Sequence, residues 1–545
     1  MARTIRLRKW QKAALDAFLA RASPDFLAVA TPGAGKTRFA LAAGRQTLAA
    51  TPGRLVIVAP TQHLKHQWAD AAEELDLHLE TAWSAADGGL PPDVHGVVTT
   101  YQQVAGSAEA LAPIADGAFV ILDEVHHAGD DRAWGDAVRV AFEGAAARLS
   151  LSGTPFRSDT RAIPFVAYDD DGMASPDVEY GYDDALHTGG VVRPVHFPRI
   201  DGEMEWIASD GTAAAASFAD HLDAPGTAQR LRTALSVDGE WMPHVLRLAH
   251  ERLMLIRRTQ PDAGGLVIAT DQGHARGIAA LMARMGVDAV VAVSEDAEAS
   301  RRIGAFAAGT APWIVAVRMV SEGVDIPRLR VGVFATTTTT ELFFRQAVGR
   351  IVRWIRGLGP QPAYMFIPDD PRLRTHAWNI AEQRRHSLRR RDDDGMPEDA
   401  DPAALDEPPR EPRDEPQLSL FAALSATPMG DPTADGQMVL GAAVAEAPAD
   451  EEADGVEWDL ELVDAPPLEA PPSGKGLSRR EYRRILRDSN SSAVRLIARA
   501  TGLSHAAVNS ELNRRVGVQR VQEATLGQLE ERRAQAERWL ARPTG

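Results

Sequence analysis

Short, fully apolar runs alternate with longer stretches in which apolar positions recur every three or four residues, and this rhythm fills most of the chain before residue 391. Runs apolar on both faces, punctuated by helix-period segments, are what a parallel sheet covered by helices requires. In the first part of the chain the pattern predicts strands at Phe26–Ala30, Leu55–Ala59, Val97–Thr100, Phe119–Leu122 and Arg148–Ser152. Residues from about 200 to 260 read as mostly helical and connecting. A second strand series follows at Gly265–Thr270, Ala289–Val293, Trp313–Val317, Val331–Ala335 and Ala363–Ile367. The expected fold class is α/β, with two parallel-sheet lobes in tandem, then an acidic linker and a small all-α C-terminal domain.

After the basic run Arg384–Arg391 the pattern collapses. Residues 392–475 are rich in Pro, Ala, Asp and Glu and carry little periodicity, so a disordered linker is expected there. Gln417–Phe421 forms a small apolar island inside it. Helical periodicity returns from residue 476. Ala493–Ala500, the turn Thr501-Gly502-Leu503 and Ser504–Arg515 resemble a helix-turn-helix, with Ala498 at the helix contact and Val508 and Leu512 in the core, and a short helical docking bundle of another kind fits almost as well. Ser504, His505, Asn509, Ser510, Asn513 and Arg514 are then expected on the outer face, where they could meet DNA. Thr525–Leu540 reads as one more amphipathic helix, with Leu529, Ala536 and Leu540 inward. The expected domains are thus 1–198, a connector 199–260, 261–391, the linker 392–475 and a basic helical domain 476–545.

Charge sharpens these boundaries. The chain carries a formal −17, but residues 392–474 hold 23 Asp and Glu against two Arg, a net of −21. Residues 475–545 hold 15 Lys and Arg against seven acids, a net of +8, which leaves −4 for the first 391. The acidity therefore belongs to one segment and the tail is basic. There are no cysteines, which excludes disulfides, Cys-ligated zinc and iron–sulfur clusters. No apolar run approaches the length of a membrane span, and no signal-peptide pattern opens the chain, so a cytoplasmic protein without membrane partners is expected.

The candidate chemistry sits at two predicted strand ends. Ala30-Thr31-Pro32-Gly33-Ala34-Gly35-Lys36-Thr37 follows the apolar run Phe26–Val29 and precedes a helix. Gly33 and Gly35 let backbone N–H groups converge on phosphate, assisted by the helix N-terminus. Lys36 supplies a point charge for the outer phosphates, and the Thr37 hydroxyl a ligand for Mg²⁺. Ala30 stands where the general pattern has its first glycine. Asp123-Glu124-Val125-His126 follows Phe119–Leu122, which gives Asp123 to the metal and Glu124 to the attacking water. A phosphate cradle and an acid pair at one sheet edge form the minimum apparatus for hydrolysing a nucleoside triphosphate.

In this order the motifs resemble those of superfamily 2 helicases and translocases of the DExH kind, over residues 5 to about 370. The likeness is greatest to the branch with restriction motor subunits and bacterial repair translocases. It implies two RecA-like lobes and dependence on ATP and Mg²⁺. Within Leu7–Gln11, Gln11 would read adenine. Pro32, Gly33, Ala34, Gly35, Lys36, Thr37 and Asp325 would surround the nucleotide. Thr61 and Gln62, Thr100 and Tyr101, and Thr270 would line the nucleic-acid track. His126, Ser152 and Thr154 would couple hydrolysis to strand contact. Val320–Pro327 resembles motif V, and Gln346–Arg353 resembles motif VI, giving Gln346, Arg350 and Arg353 catalytic roles. Arg350 and Arg353 lie three apart, so on a helix they would share one face and could both reach the γ-phosphate.

The resemblance implies a nucleic-acid partner, DNA rather than RNA, and leaves room for a protein partner such as a nuclease or repair factor. The leading reading is a helicase or translocase. Two others stay open: the motor subunit of a restriction or phage-defence complex that moves on duplex DNA without unwinding it, and a nucleotide-gated scaffold with weak ATPase.

Overall fold

A computed structural model describes residues 3–126, 132–153, 163–169, 174–208, 211–293, 299–317, 326–392, 422–433, 458–462 and 478–541. The chain divides into two units. One comprises Met1–Ala30, Gly35–Glu179 and Val456–Gly545, and the other Thr31–Ala34 and Tyr180–Gly455.

The first unit carries a seven-stranded sheet in the order Leu79–Glu80, Gly96–Thr100, Leu55–Ala59, Phe119–Leu122, Ala147–Ser152, Asp25–Ala30, Val178–Tyr180. Its central ladders are parallel. Leu55–Ala59 and Phe119–Leu122 are buried at every position, which is why their sequences are unbroken apolar runs rather than alternations. The helices Lys36–Ala50, Gln62–Glu73 and Tyr101–Ala115 each follow a strand. Thr61 and Thr100 cap the latter two by accepting N–H bonds from Leu64 and Gln103. The strand C-terminal ends therefore gather at one edge, where such sheets place their ligand sites.

The second unit carries a nine-stranded sheet. Its parallel heart is Ala363–Pro368, Leu329–Ala335, Gly264–Ala269, Trp313–Val317 and Ala289–Ala292. The segment read as mostly helical contains the helices Ala224–Ala234 and Trp241–Arg257, but begins with two strands, Arg199–Ile207 and Ala213–Ser217, paired antiparallel. The signal was a period-two alternation: Ile200, Met204 and Trp206 point inward between polar Asp201, Glu203 and Glu205.

Most of the acidic stretch lies outside the described residues, including the island Gln417–Phe421. Two pieces of it are strands. Ala422–Thr433 pairs antiparallel with Arg199–Ile207 in the second unit. Trp458–Leu462 pairs antiparallel with Arg3–Leu7 in the first.

The C-terminal helices Arg479–Thr501, His505–Val516 and Leu526–Leu540 belong to the first unit. Gly502, at φ 70, ends the first of them in the left-handed conformation, and Ser504 caps the second. Ala493, Ile497, Ala498, Val508, Leu512 and Ala536 make the bundle core, whereas Leu540 is exposed. Arginines clamp the bundle to the sheet-bearing part of the same unit. Asp93, 3% exposed, accepts from Arg483 at 2.6 Å and from the Leu526 N–H at 3.0 Å, with Arg479 at 3.6 Å. Glu80, also buried, forms an ion pair with Arg487 at 3.0 Å. No helix among the described residues is long and apolar enough to cross a membrane.

Candidate nucleotide site

The strand Asp25–Ala30 runs straight into the glycine-bearing loop, and the helix Lys36–Ala50 leaves it. Gly35 caps that helix at φ +90, a conformation that leaves no room for a side chain. A Cβ there would lie 2.5 Å from the Gln11 amide nitrogen. Gln11 is buried, donates to the Gly35 carbonyl at 2.9 Å and accepts from the Arg8 N–H at 2.8 Å. Its amide braces the loop from beneath.

Lys36 Nζ donates to the Ala30 carbonyl at 3.1 Å and lies 3.1 Å from Glu124 Oε1. The other Glu124 oxygen accepts the Gly153 N–H at 3.1 Å and stands 3.7 Å from His126 Nδ1. Burial by itself would push the Glu124 carboxyl up. Lys36, His126 and the Gly153 N–H outweigh it and hold the group well below the ordinary carboxylate range, so it is ionised at neutral pH. Glu124 also sits at φ +46, rare for a non-glycine residue and costing on the order of 1–3 kcal/mol. That turn aims its carboxylate back over Lys36.

Asp123 is oriented by two aromatic residues. Its Oδ2 accepts the Trp68 indole N–H at 2.7 Å, and its backbone carbonyl accepts the Tyr101 hydroxyl at 3.0 Å. Trp68 and Tyr101 are both buried. Tyr101, expected on a nucleic-acid track, is instead a prop beneath the acid pair, and Thr100 is buried as the cap of the next helix. Thr61 is partly covered as a cap, while Gln62 is exposed. His126 Nδ1 lies 3.3 Å from Ser152 Oγ, which joins the acid turn to the end of the strand Ala147–Ser152. The residues Thr154 and Asp325, and the whole stretch Val320–Asp325, lie outside the described residues.

In the second unit, the helix Glu341–Ile351 carries Gln346 and Arg350 and stops at Ile351. Arg353 is therefore not on the helix, and the shared-face argument for the two arginines does not hold. The chain turns extended there because Arg353 bridges Val192, and the Val352 carbonyl accepts the Arg193 N–H at 2.8 Å. Gly33 belongs to this unit, and a Cβ on it would fall 2.6 Å from Arg353 Nη1. Thr270 follows the strand Gly264–Ala269, its hydroxyl 3.4 Å from the Ala335 carbonyl.

The donor set suits a triphosphate with Mg²⁺: a left-handed glycine opening a helix, an ammonium at its first turn, and a hydroxyl with a carboxylate for a hard cation. Thr37 and Asp123 would hold the metal, which would neutralise phosphate charge. The role of Trp68 was not read from the sequence. Its signal was the buried helical stripe Lys65, Trp68, Ala69 and Ala72, which places an indole N–H where an acceptor has to be found.

Residues 4–157 match the family model described as type III restriction enzyme, res subunit. The chain is 46% identical over 407 residues to the uncharacterized protein Rv2917 of Mycobacterium tuberculosis H37Rv, covering 73% of this chain and 67% of that one. It is likewise 46% identical over 390 residues to the uncharacterized protein ML1624 of Mycobacterium leprae, covering 70% and 65%. Among solved structures, a fragment of a putative HsdR subunit of a type I restriction enzyme from Vibrio vulnificus YJ016 superposes with a TM-score of 0.48 at 16% identity, over 68% of this chain and 65% of that one. Dbp5 of S. cerevisiae bound to RNA and ADP BeF3 superposes with a TM-score of 0.43 at 14% identity, over 70% of this chain and 88% of that one.

Proposed function

The chain belongs to the family of the mycobacterial protein Rv2917 and, by its motifs and its res-subunit domain, to the superfamily 2 DExH helicase-like proteins; from that premise we propose that it is an ATP-hydrolysing motor that acts on DNA. One observation carries the reading: Glu124 is held ionised between Lys36 and the Gly153 N–H, beside an Asp123 fixed by Trp68. Phosphate oxygens compete with Glu124 for Lys36. A nucleotide that draws Lys36 away removes the main charge keeping Glu124 acidic, and the carboxylate becomes a better acceptor for the proton of an attacking water. Asp123 and Thr37 would hold Mg²⁺, which would neutralise phosphate charge, and Arg350 and Arg353 would take the charge-stabilising roles that their motif implies. Because Glu124 also binds Gly153 and approaches His126 beside Ser152, a change at the phosphates reaches the strand end where the family couples hydrolysis to its track.

The test is steady-state ATP hydrolysis with no nucleic acid, single-stranded DNA, duplex DNA and RNA, alongside Lys36→Ala. Stimulation by DNA that the variant abolishes is expected; flat turnover across all four sinks the motor reading. A second reading, a restriction-type motor that moves on duplex without separating it, is favoured by the res-subunit match. A strand-displacement assay beside a triplex-displacement assay separates the two, since only translocation removes a third strand while leaving the duplex paired.

A further inference from the structure

The C-terminal bundle carries an open cavity of about 610 Å³, framed by the helices Arg479–Thr501 and His505–Val516, the stretch around Arg520 and the helix Leu526–Leu540. Three arginines line it, Arg495, Arg520 and Arg532, together with His505, and no carboxylate does. Arg532 is the unusual one. It is 1% exposed, and no ion pair recorded among the described residues includes it. Three asparagine carbonyls hold it instead: Asn490 at 3.0 Å, Asn513 at 3.0 Å and Asn509 at 2.6 Å.

A guanidinium has five N–H donors, so these three bonds leave two. Burying a cation without a counter-charge is costly, and a helical bundle can close its core without one. Asparagine carbonyls fix the fork without cancelling its charge. Arg495 is exposed at the rim and donates within its own helix, to the Ser491 carbonyl at 3.4 Å. The whole module carries +8, so the field outside the cavity has the same sign as the field within.

We propose that this cavity is a phosphate-binding site that takes the backbone phosphate of a nucleic-acid strand, separate from the nucleotide site. The buried fork supplies planar, two-donor recognition of a phosphate, and Arg495 and His505 extend it towards neighbouring phosphates along a strand, while the Arg520 guanidinium donates to the Ala86 carbonyl at 3.1 Å. The outward contacts expected of Asn509 and Asn513 are thereby reassigned. Both line the cavity and hold Arg532 there through their side-chain carbonyls.

The experiment titrates a fluorescein-labelled single-stranded 20-mer with the full chain, without ATP, over a series of KCl concentrations. Wild type is compared with Arg495→Gln and Arg532→Lys, and thermal midpoints and DNA-free ATP turnover are recorded for each. Arg495→Gln is expected to weaken binding about three- to tenfold and to lower the slope of log K against log salt by about one, with unchanged midpoint and turnover. Arg532→Lys keeps the charge but loses the fork, and it should weaken binding with little change of slope. Competition by inorganic phosphate at millimolar concentration, lost in Arg495→Gln, assigns the same site to free phosphate instead of a strand. Unchanged affinity and slope in both variants, or loss only in Arg532→Lys accompanied by a fallen thermal midpoint, overturns the proposal and leaves Arg532 as a structural staple.

Discussion

At the residue scale the decisive object is Glu124, because one carboxylate joins Lys36 of the glycine-bearing loop to a neighbouring strand end. Glu124→Gln keeps the shape and removes the proton acceptor. ATP turnover should fall by about 10²-fold or more while nucleotide affinity survives, as judged by single-turnover kinetics beside fluorescent-nucleotide binding. Trp68→Phe keeps the packing and deletes the N–H that orients Asp123. Turnover should drop about tenfold, with a raised Mg²⁺ requirement, and an unaltered Mg²⁺ dependence would show that Asp123 is oriented without it. The pH dependence follows from sign. Glu124 is more acidic folded than unfolded, so its stabilising effect is full above its ordinary value near 4.5 and is lost as pH falls from there towards about 2. Thermal midpoints measured from pH 5 down to pH 3 should fall more steeply for wild type than for Glu124→Gln. Parallel curves would mean that the Lys36 pair adds nothing to the fold.

At the element scale, the clamp at Asp93 ties the C-terminal bundle to the rest of its unit. One buried carboxylate there serves Arg483 and the Leu526 N–H, with Arg479 nearby. Asp93→Ala strands buried arginines, so it should cost about 3–5 kcal/mol in urea denaturation and speed amide exchange throughout 479–540. Replacing Asp93 and Arg483 together by apolar residues should cost less than Asp93→Ala alone. Strands of this chain were legible where both faces are buried. Leu55–Ala59, Phe119–Leu122 and Trp313–Val317 are unbroken apolar runs, and their ends coincide with the sequence reading. Arg199–Ile207 was illegible for the opposite reason. It has one polar face, and its alternation of Glu and Asp with Ile, Met and Trp is easily taken for a helix boundary. In the site, the loop and the acid turn were legible because phosphate chemistry demands fixed residues at fixed spacing. The props Trp68, Tyr101 and Gly153 were not, since their roles depend on which strand lies beside which. Arg353 shows the converse error: spacing of three implied a helical face, but backbone pairing with Val192 ends the helix two residues earlier.

At the scale of the whole molecule, charge is sorted by segment. The stretch 434–457 carries seven carboxylates and no Lys or Arg, between strands that join the sheet of the second unit and the two-stranded ladder of the first. Replacing its carboxylates by serine keeps the length of chain between the two strands and would remove a polyanion able to compete with nucleic acid for the basic module. Affinity for single-stranded DNA should rise at low salt, and the gain should vanish above about 0.5 M KCl, where charges more than a few ångströms apart no longer sense each other. Equal affinity in the neutralised and intact chains would dismiss the competition. The pairing of Arg3–Leu7 with Trp458–Leu462 governs the order of assembly as well. During synthesis the early strand is made roughly 450 residues before its partner, and the arginines that meet Glu80 and Asp93 emerge later still. The unit that carries Lys36 and the acid pair is thus begun first and completed last, after every described strand of the other unit has left the ribosome. A chain cut short after residue 353 but before residue 458 would carry every described residue of the candidate site on a scaffold whose opening strand lacks this partner, so such truncated products should be the ones that proteases remove.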